Sequence, residues 1–127
     1  MAFRCPACQG ARSLWITSSL ELPPDSRSDE ITLQLIKCSR CDFVGVAVYE
    51  ESRRGALDDD SFHHFGYPVS RAHWDRLREL MERCPDPRNP RCSCPAHRRL
   101  ATYNEWGRWN GLEAIPHGRP FELRFGA

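Results

Sequence analysis

Two Cys-x-x-Cys pairs, Cys5/Cys8 and Cys38/Cys41, constrain this chain more than any other feature. A Cys-x-x-Cys turn holds two thiolates side by side. Two such turns brought together make a tetrahedral four-sulfur cage, the coordination that Zn²⁺ prefers. The pairs stand 29 residues apart, more than a tight hairpin needs. The surplus lies in the polar stretch Leu22 to Ile31, which suits a hairpin tip. The C-P-A-C run at 5–8 also has the form of a redox dithiol. That chemistry calls for a low-pKa thiolate at a helix N-terminus within a βαβ unit, and no such pattern follows Cys8.

The segments around the cysteines read as strands. Leu14 to Leu22 is rich in β-formers, though it does not alternate strictly. Ile31 to Ile36 alternates more cleanly and feeds Cys38, and Phe43 to Tyr49 follows Cys41. Pro23 to Asp29 has loop chemistry. Together these predict a three-stranded zinc ribbon over residues 1–51. Roughly 50 residues bury too little apolar surface to fold alone, so metal would supply much of the folding energy. Residues 52–69 read as a connector. It carries Asp58-Asp59-Asp60 and His63-His64, which could be taken for a hydrolytic site. Acidic runs in connectors are ordinarily solvated, and nothing nearby fixes the open position that a catalytic metal keeps.

The rest, 70–127, is expected to be a helical metal-binding lobe. Ser70 can cap a helix over about 71–83, with Trp74, Leu77, Leu80, Met81 and Cys84 on one face. Pro85, Pro87 and Pro90 then force an extended loop. Cys94-Pro95 has the form of an N-cap and first helical residue, opening a helix to about Trp106. Phe121 to Phe125 alternates and suits a short closing strand. Cys84, Cys92, Cys94 and His97 form a second constellation, C-x7-C-x-C-x2-H. Seven cysteines and one histidine fill two four-ligand sites with no thiol left over, and Cys3His is an accepted structural zinc set. Alternatively, Cys84 is a small core residue, and His73 or His63 serves as a reserve ligand. Iron bound by the thiolates, in an iron–sulfur or iron–thiolate redox protein, is the other alternative. The predicted fold class is thus α+β, a ribbon plus a small helical lobe holding two zinc ions.

Charge and composition narrow the function less. The net charge of +1 carries no global nucleic-acid signature. Residues 1–70 hold 7 basic against 10 acidic residues, while 71–108 hold 9 against 5. Arg98 and Arg99 beside the second cluster could face a polyanion. Trp106 and Trp109, with Arg108 between them, could form an aromatic platform for bases or a partner, or pack the lobe against the ribbon. No run approaches the roughly 18 apolar residues of a membrane span. Seven thiols without a signal-type N-terminus point to a reducing cytoplasm. No phosphate-binding loop, nucleophile elbow or H-E-x-x-H pattern is present. The expected function is a zinc-binding, non-catalytic adaptor or regulator that contacts a protein or nucleoprotein partner, with nucleic acid possible and no membrane contact.

Arg27-Ser28-Asp29-Glu30, seven residues before Cys38, resembles the hairpin tip of the transcript-cleavage elongation factors of RNA polymerase. The resemblance covers only about residues 5–49. It implies that Asp29 and Glu30 would help hold a catalytic Mg²⁺ in the polymerase, flanked by Arg27. The arm before Asp29 is longer than that family's, and residues 52–127 have no counterpart in it.

Overall fold

The computed structural model describes residues 2–53 and 61–123, so Asp58-Asp59-Asp60 lie outside the described residues. Six strands run in sequence order through one antiparallel sheet: β1 (Ala2–Phe3), β2 (Leu14–Leu22), β3 (Glu30–Cys38), β4 (Val44–Ser52), β5 (Ser61–Pro68) and β6 (Phe121–Glu122). The main helix, α1, spans Arg71–Glu82, and a single short turn of helix, α2, spans Pro95–Leu100. A four-residue 3-10 helix, Gly111–Ala114, follows. No described helix is long and apolar enough to cross a membrane.

The expected α+β division into a three-stranded ribbon and a helical lobe is therefore incorrect. The fold is mainly one antiparallel sheet with one substantial helix against it. Two segments account for the difference. Residues 61–68, expected within a connector, form β5 and pair with β4 from Ser52↔Ser61 to Gly45↔Pro68. Its alternation is broken by the His63-His64 pair and by Gly66. That glycine is needed, because a Cβ there would meet the Phe121 ring of β6 at 2.4 Å.

The second difference is α2, which stops at Leu100 instead of running to Trp106. In a longer helix the Leu100 carbonyl would accept from Asn104 N–H. Instead it accepts from the Trp109 indole at 2.7 Å, and Asn104 N–H donates to the Arg108 carbonyl at 2.9 Å. Residues 101–110 thus close on themselves through a Tyr103↔Trp109 bridge. The helix over α1 forms as its pattern predicts. Ser70 Oγ accepts from His73 N–H, and Trp74, Leu77 and Met81 face inward.

The uneven alternation of β2 has a structural cause. The pairing with β3 shifts between Ile16 and Ser18, a β-bulge at Thr17. A bulge reverses which face later side chains reach. Leu14 and Ile16 lie with Phe3, Ile36, Ala47 and Leu123 in a small core on one face. Leu20 and Leu22 lie in the larger core on the other, with Leu33, Leu35, Val46, Trp74, Leu77, Leu100 and Ile115. Each such fully buried aliphatic side chain contributes about 1.5–3 kcal/mol. Cys5 and Cys38 belong to the small core and Cys84 to the large one, so each cysteine cluster is continuous with one face of the sheet.

Candidate metal centres

The first centre lies where the turn after β1 meets the turn after β3. Cys5 and Cys38 are buried, Cys41 is half-buried and Cys8 is exposed. Cys5 Sγ lies 3.6 Å from Cys41 Sγ, and Cys8 Sγ lies 3.8 Å from Cys38 Sγ. All four sulfurs fall within 4.8 Å of one another. A zinc tetrahedron with Zn–S bonds of about 2.3 Å has edges of about 3.8 Å, so these sulfurs can enclose such an ion. Backbone amides converge on the same atoms. Ala7 N–H points at Cys5 Sγ (3.4 Å) and Arg40 N–H at Cys38 Sγ (3.3 Å).

Two residues not singled out from the sequence shape this centre. Gly10 lets the first turn close, since its carbonyl accepts from Cys5 N–H. A Cβ there would approach Ser13 Oγ at 2.9 Å and Cys8 Sγ at 3.3 Å. Ser13 is buried, with Oγ between the Gly10 carbonyl (2.8 Å) and Cys38 Sγ (3.4 Å). Burial pushes the Cys38 thiol up. The Ser13 hydroxyl and the Arg40 and Cys41 N–H groups outweigh it, bringing this thiol down to about 6. Burial dominates at Cys5 and pushes it up to about 12. Without a cation, four thiols this close cannot all ionise, because each thiolate disfavours the next. A dication supplies the missing charge.

The second centre sits at the junction of α1, the proline-rich loop and α2. Cys84 follows the helix end, Cys92 lies in the loop, Cys94 is the N-cap of α2 and His97 lies in its first turn. Cys84 is buried in the large core, yet its sulfur faces the other three residues. It lies 3.8 Å from Cys92 Sγ and 3.5 Å from His97 Nδ1. Cys94 Sγ lies 3.2 Å from His97 Nδ1. A zinc ion bound by sulfur and nitrogen gives S···N edges of about 3.5 Å. Burial pushes Cys84 up to about 11. Burial acts the same way on Cys94, but its contacts with the His97 side chain and backbone N–H outweigh it and lower that thiol to about 6.

His97 is 3 % exposed, and its Nε2 lies 2.8 Å from the Glu21 carbonyl oxygen. A carbonyl can only accept, so Nε2 carries the proton and Nδ1 is left as the ligand atom. This is the outer partner that metal-bound histidines usually have. Glu21 N–H, in turn, donates to the Pro87 carbonyl at 2.8 Å. Because β1 covers only the start of β2, this edge of β2 is open, and the second centre closes it with two backbone-directed bonds. A main-chain carbonyl leaves no trace in a sequence, so nothing in the residue pattern reveals it.

The other candidate residues are dispersed. Trp109 is buried, while Trp106 is 73 % exposed at the apex of a turn. In that turn Asn104 Oδ1 accepts from Trp106 and Arg108 N–H. Arg108 Nη1 pairs with Asp25 at 3.0 Å, and Nη2 lies 3.8 Å from Glu50. Asp29 accepts from Arg53 N–H at 2.6 Å, and the Arg53 side chain lies 3.6 Å from Glu30. Arg98 and Arg99 are exposed on α2. His64 lies 2.6 Å from Gln34 Oε1, and His63 stacks on Phe65. His73 caps back to Ser70.

Two groups of ligand atoms, one of four cysteines and one of three cysteines and a histidine, can thus each hold a metal ion. Comparison of the chain with protein-family models, curated proteins and solved structures yields no match.

Proposed function

We propose that this chain is a zinc-binding, non-catalytic adaptor, held in shape by two structural zinc ions and presenting its surface to a protein or nucleoprotein partner. The observation that supports it is the arrangement of eight side chains into two closed four-ligand sets. A structural zinc site fills all four positions with protein atoms, whereas a catalytic one leaves a position for water or substrate. Each set lies against a hydrophobic core on its own face of the sheet, where an ion would join segments distant in sequence. Two of the seven buried residues of the smaller core are the ligands Cys5 and Cys38, so metal binding there contributes directly to folding. Seven thiols kept reduced fit a reducing compartment.

Elemental analysis with an absorption spectrum of the purified chain tests this reading. The expected result is two equivalents of zinc and no visible absorption. Cys38→Ser should lower the zinc content by one equivalent and unfold the sheet around Phe3, Leu14 and Ile36. Iron with thiolate absorption in the visible would replace the structural reading with electron transfer. Unchanged metal content and melting in Cys38→Ser would remove the first site.

A further inference from the structure

At the end of the sheet nearest the first centre, an exposed tryptophan and three cations share one surface. Trp15 on β2 lies directly across from Lys37 on β3. Opposed residues in an antiparallel pair project to the same face, and this is the face that carries α1. Lys37 Nζ lies 5.9 Å from the centre of the Trp74 ring, Arg71 Cζ 5.2 Å and Arg78 Cζ 5.6 Å. The Trp74 ring is buried, and its face attracts these three cations to one place. Arg71 and Arg78 stand two turns apart on α1, and Lys37 is the chain's single lysine.

Little on the protein offsets these charges. Arg71 has Asp75 at 3.4 Å. Among the described residues, no carboxylate forms an ion pair with Lys37 or Arg78. Lys37, Arg71 and Arg78 together with Asp75 thus sum to +2, although the whole chain is nearly neutral. Trp15, 45 % exposed, projects from the same face of the sheet. The other exposed tryptophan, Trp106, lacks this setting, because Arg108 beside it is committed to Asp25 and Glu50.

We propose that Trp15, Lys37, Arg71 and Arg78 form a binding site for single-stranded nucleic acid, with an unpaired base stacked on Trp15 and backbone phosphates held by the three cations. Stacking on an aromatic ring beside a positive track is how sequence-tolerant single-strand binding works. A duplex keeps its bases inside the stack and offers Trp15 no face. The inference rests on the chain being a partner-binding protein. Zinc content, measured on the same samples, tests the metal centres separately.

The test is fluorescence anisotropy of a labelled oligodeoxythymidylate of about 15 nucleotides, titrated with the zinc-loaded full chain at low salt and then at rising salt. Binding is expected, with log K falling against log salt at a slope of about −2 for three phosphate contacts. Trp15→Ala should weaken binding about tenfold or more, as should Trp15→Leu, which suits the strand better and has no ring to stack on. Lys37→Gln with Arg78→Gln should reduce the slope to about −0.7. Trp106→Ala should bind as the native chain does. Absence of binding at low salt overturns the proposal, as does equal or tighter binding of a duplex. Retained affinity in both Trp15 variants overturns it too, as does loss confined to Arg98→Ala with Arg99→Ala, which would place the contact on α2.

Discussion

Asp25→Ala is expected to be strongly destabilising, although Asp25 lies outside both cysteine clusters. The Asp25 side chain is 0 % exposed at the tip of the β2–β3 hairpin. It accepts from Arg27 N–H at 2.8 Å, Ser28 N–H at 2.6 Å and Trp109 N–H at 2.9 Å, and from Arg108 Nη1 at 3.0 and 3.2 Å. Alanine leaves the buried Ser28 and Trp109 amides without an acceptor, at about 1–3 kcal/mol each. Arg27 is exposed and its amide can turn to water. Arg108 is a third exposed and keeps Glu50 nearby, so its loss adds little. The total is about 2–6 kcal/mol, a large share of a typical folding free energy. Urea unfolding of the zinc-loaded chain near neutral pH, followed by tryptophan fluorescence, measures it. A loss below about 1 kcal/mol would refute the reasoning.

The same variant has a pH signature. Burial raises the Asp25 carboxyl, but the Trp109, Ser28 and Arg27 N–H groups and the Arg108 charge outweigh it and hold it below the usual carboxylate range. A depressed folded-state pKa contributes stability above the unfolded value, about 3.9, and that contribution fades as pH falls through the folded value. The gap between native and Asp25→Ala chains should therefore stay flat from about pH 5 to 8 and narrow in stronger acid. A gap that widens on acidification would contradict the charge assignment.

Other changes have narrower readouts. His97→Ala should leave one zinc equivalent and an intact first centre, and loss of both equivalents would show that the two are not independent. Gly10→Ala forces a methyl against Ser13 Oγ and Cys8 Sγ. It should destabilise the zinc-loaded chain by about 1–3 kcal/mol, and zinc competition with a chelator should show the weakening at the first centre alone; unchanged chelator resistance would sink this. Trp109→Phe removes the donor to the Leu100 carbonyl and should lower stability by about 1–3 kcal/mol, and a melting temperature within error of the native chain would count against this account of where α2 ends.

The sequence by itself determined the parts of this protein that are local. The spacing of Cys5, Cys8, Cys38 and Cys41, the strands on either side of them, and the Ser70-capped helix with its Trp74–Leu77–Met81 face follow from neighbours a few residues apart. The second cluster was legible as a ligand count, because Cys94 and His97 share one turn of helix. Tertiary structure decided the rest. Whether 61–68 became a strand depended on β4 offering an unpaired edge, and on Phe121 crossing Gly66 from the far end of the chain. Where α2 ended depended on Trp109 capturing a carbonyl nine residues earlier. How the hairpin tip was held depended on Asp25 meeting Arg108 and Trp109 across more than eighty residues. Which nitrogen of His97 faces the sulfurs depended on the Glu21 carbonyl at the open edge of β2. Each of these rests on a hydrogen bond or close contact between groups distant in sequence, where local spacing carries no information about the partner.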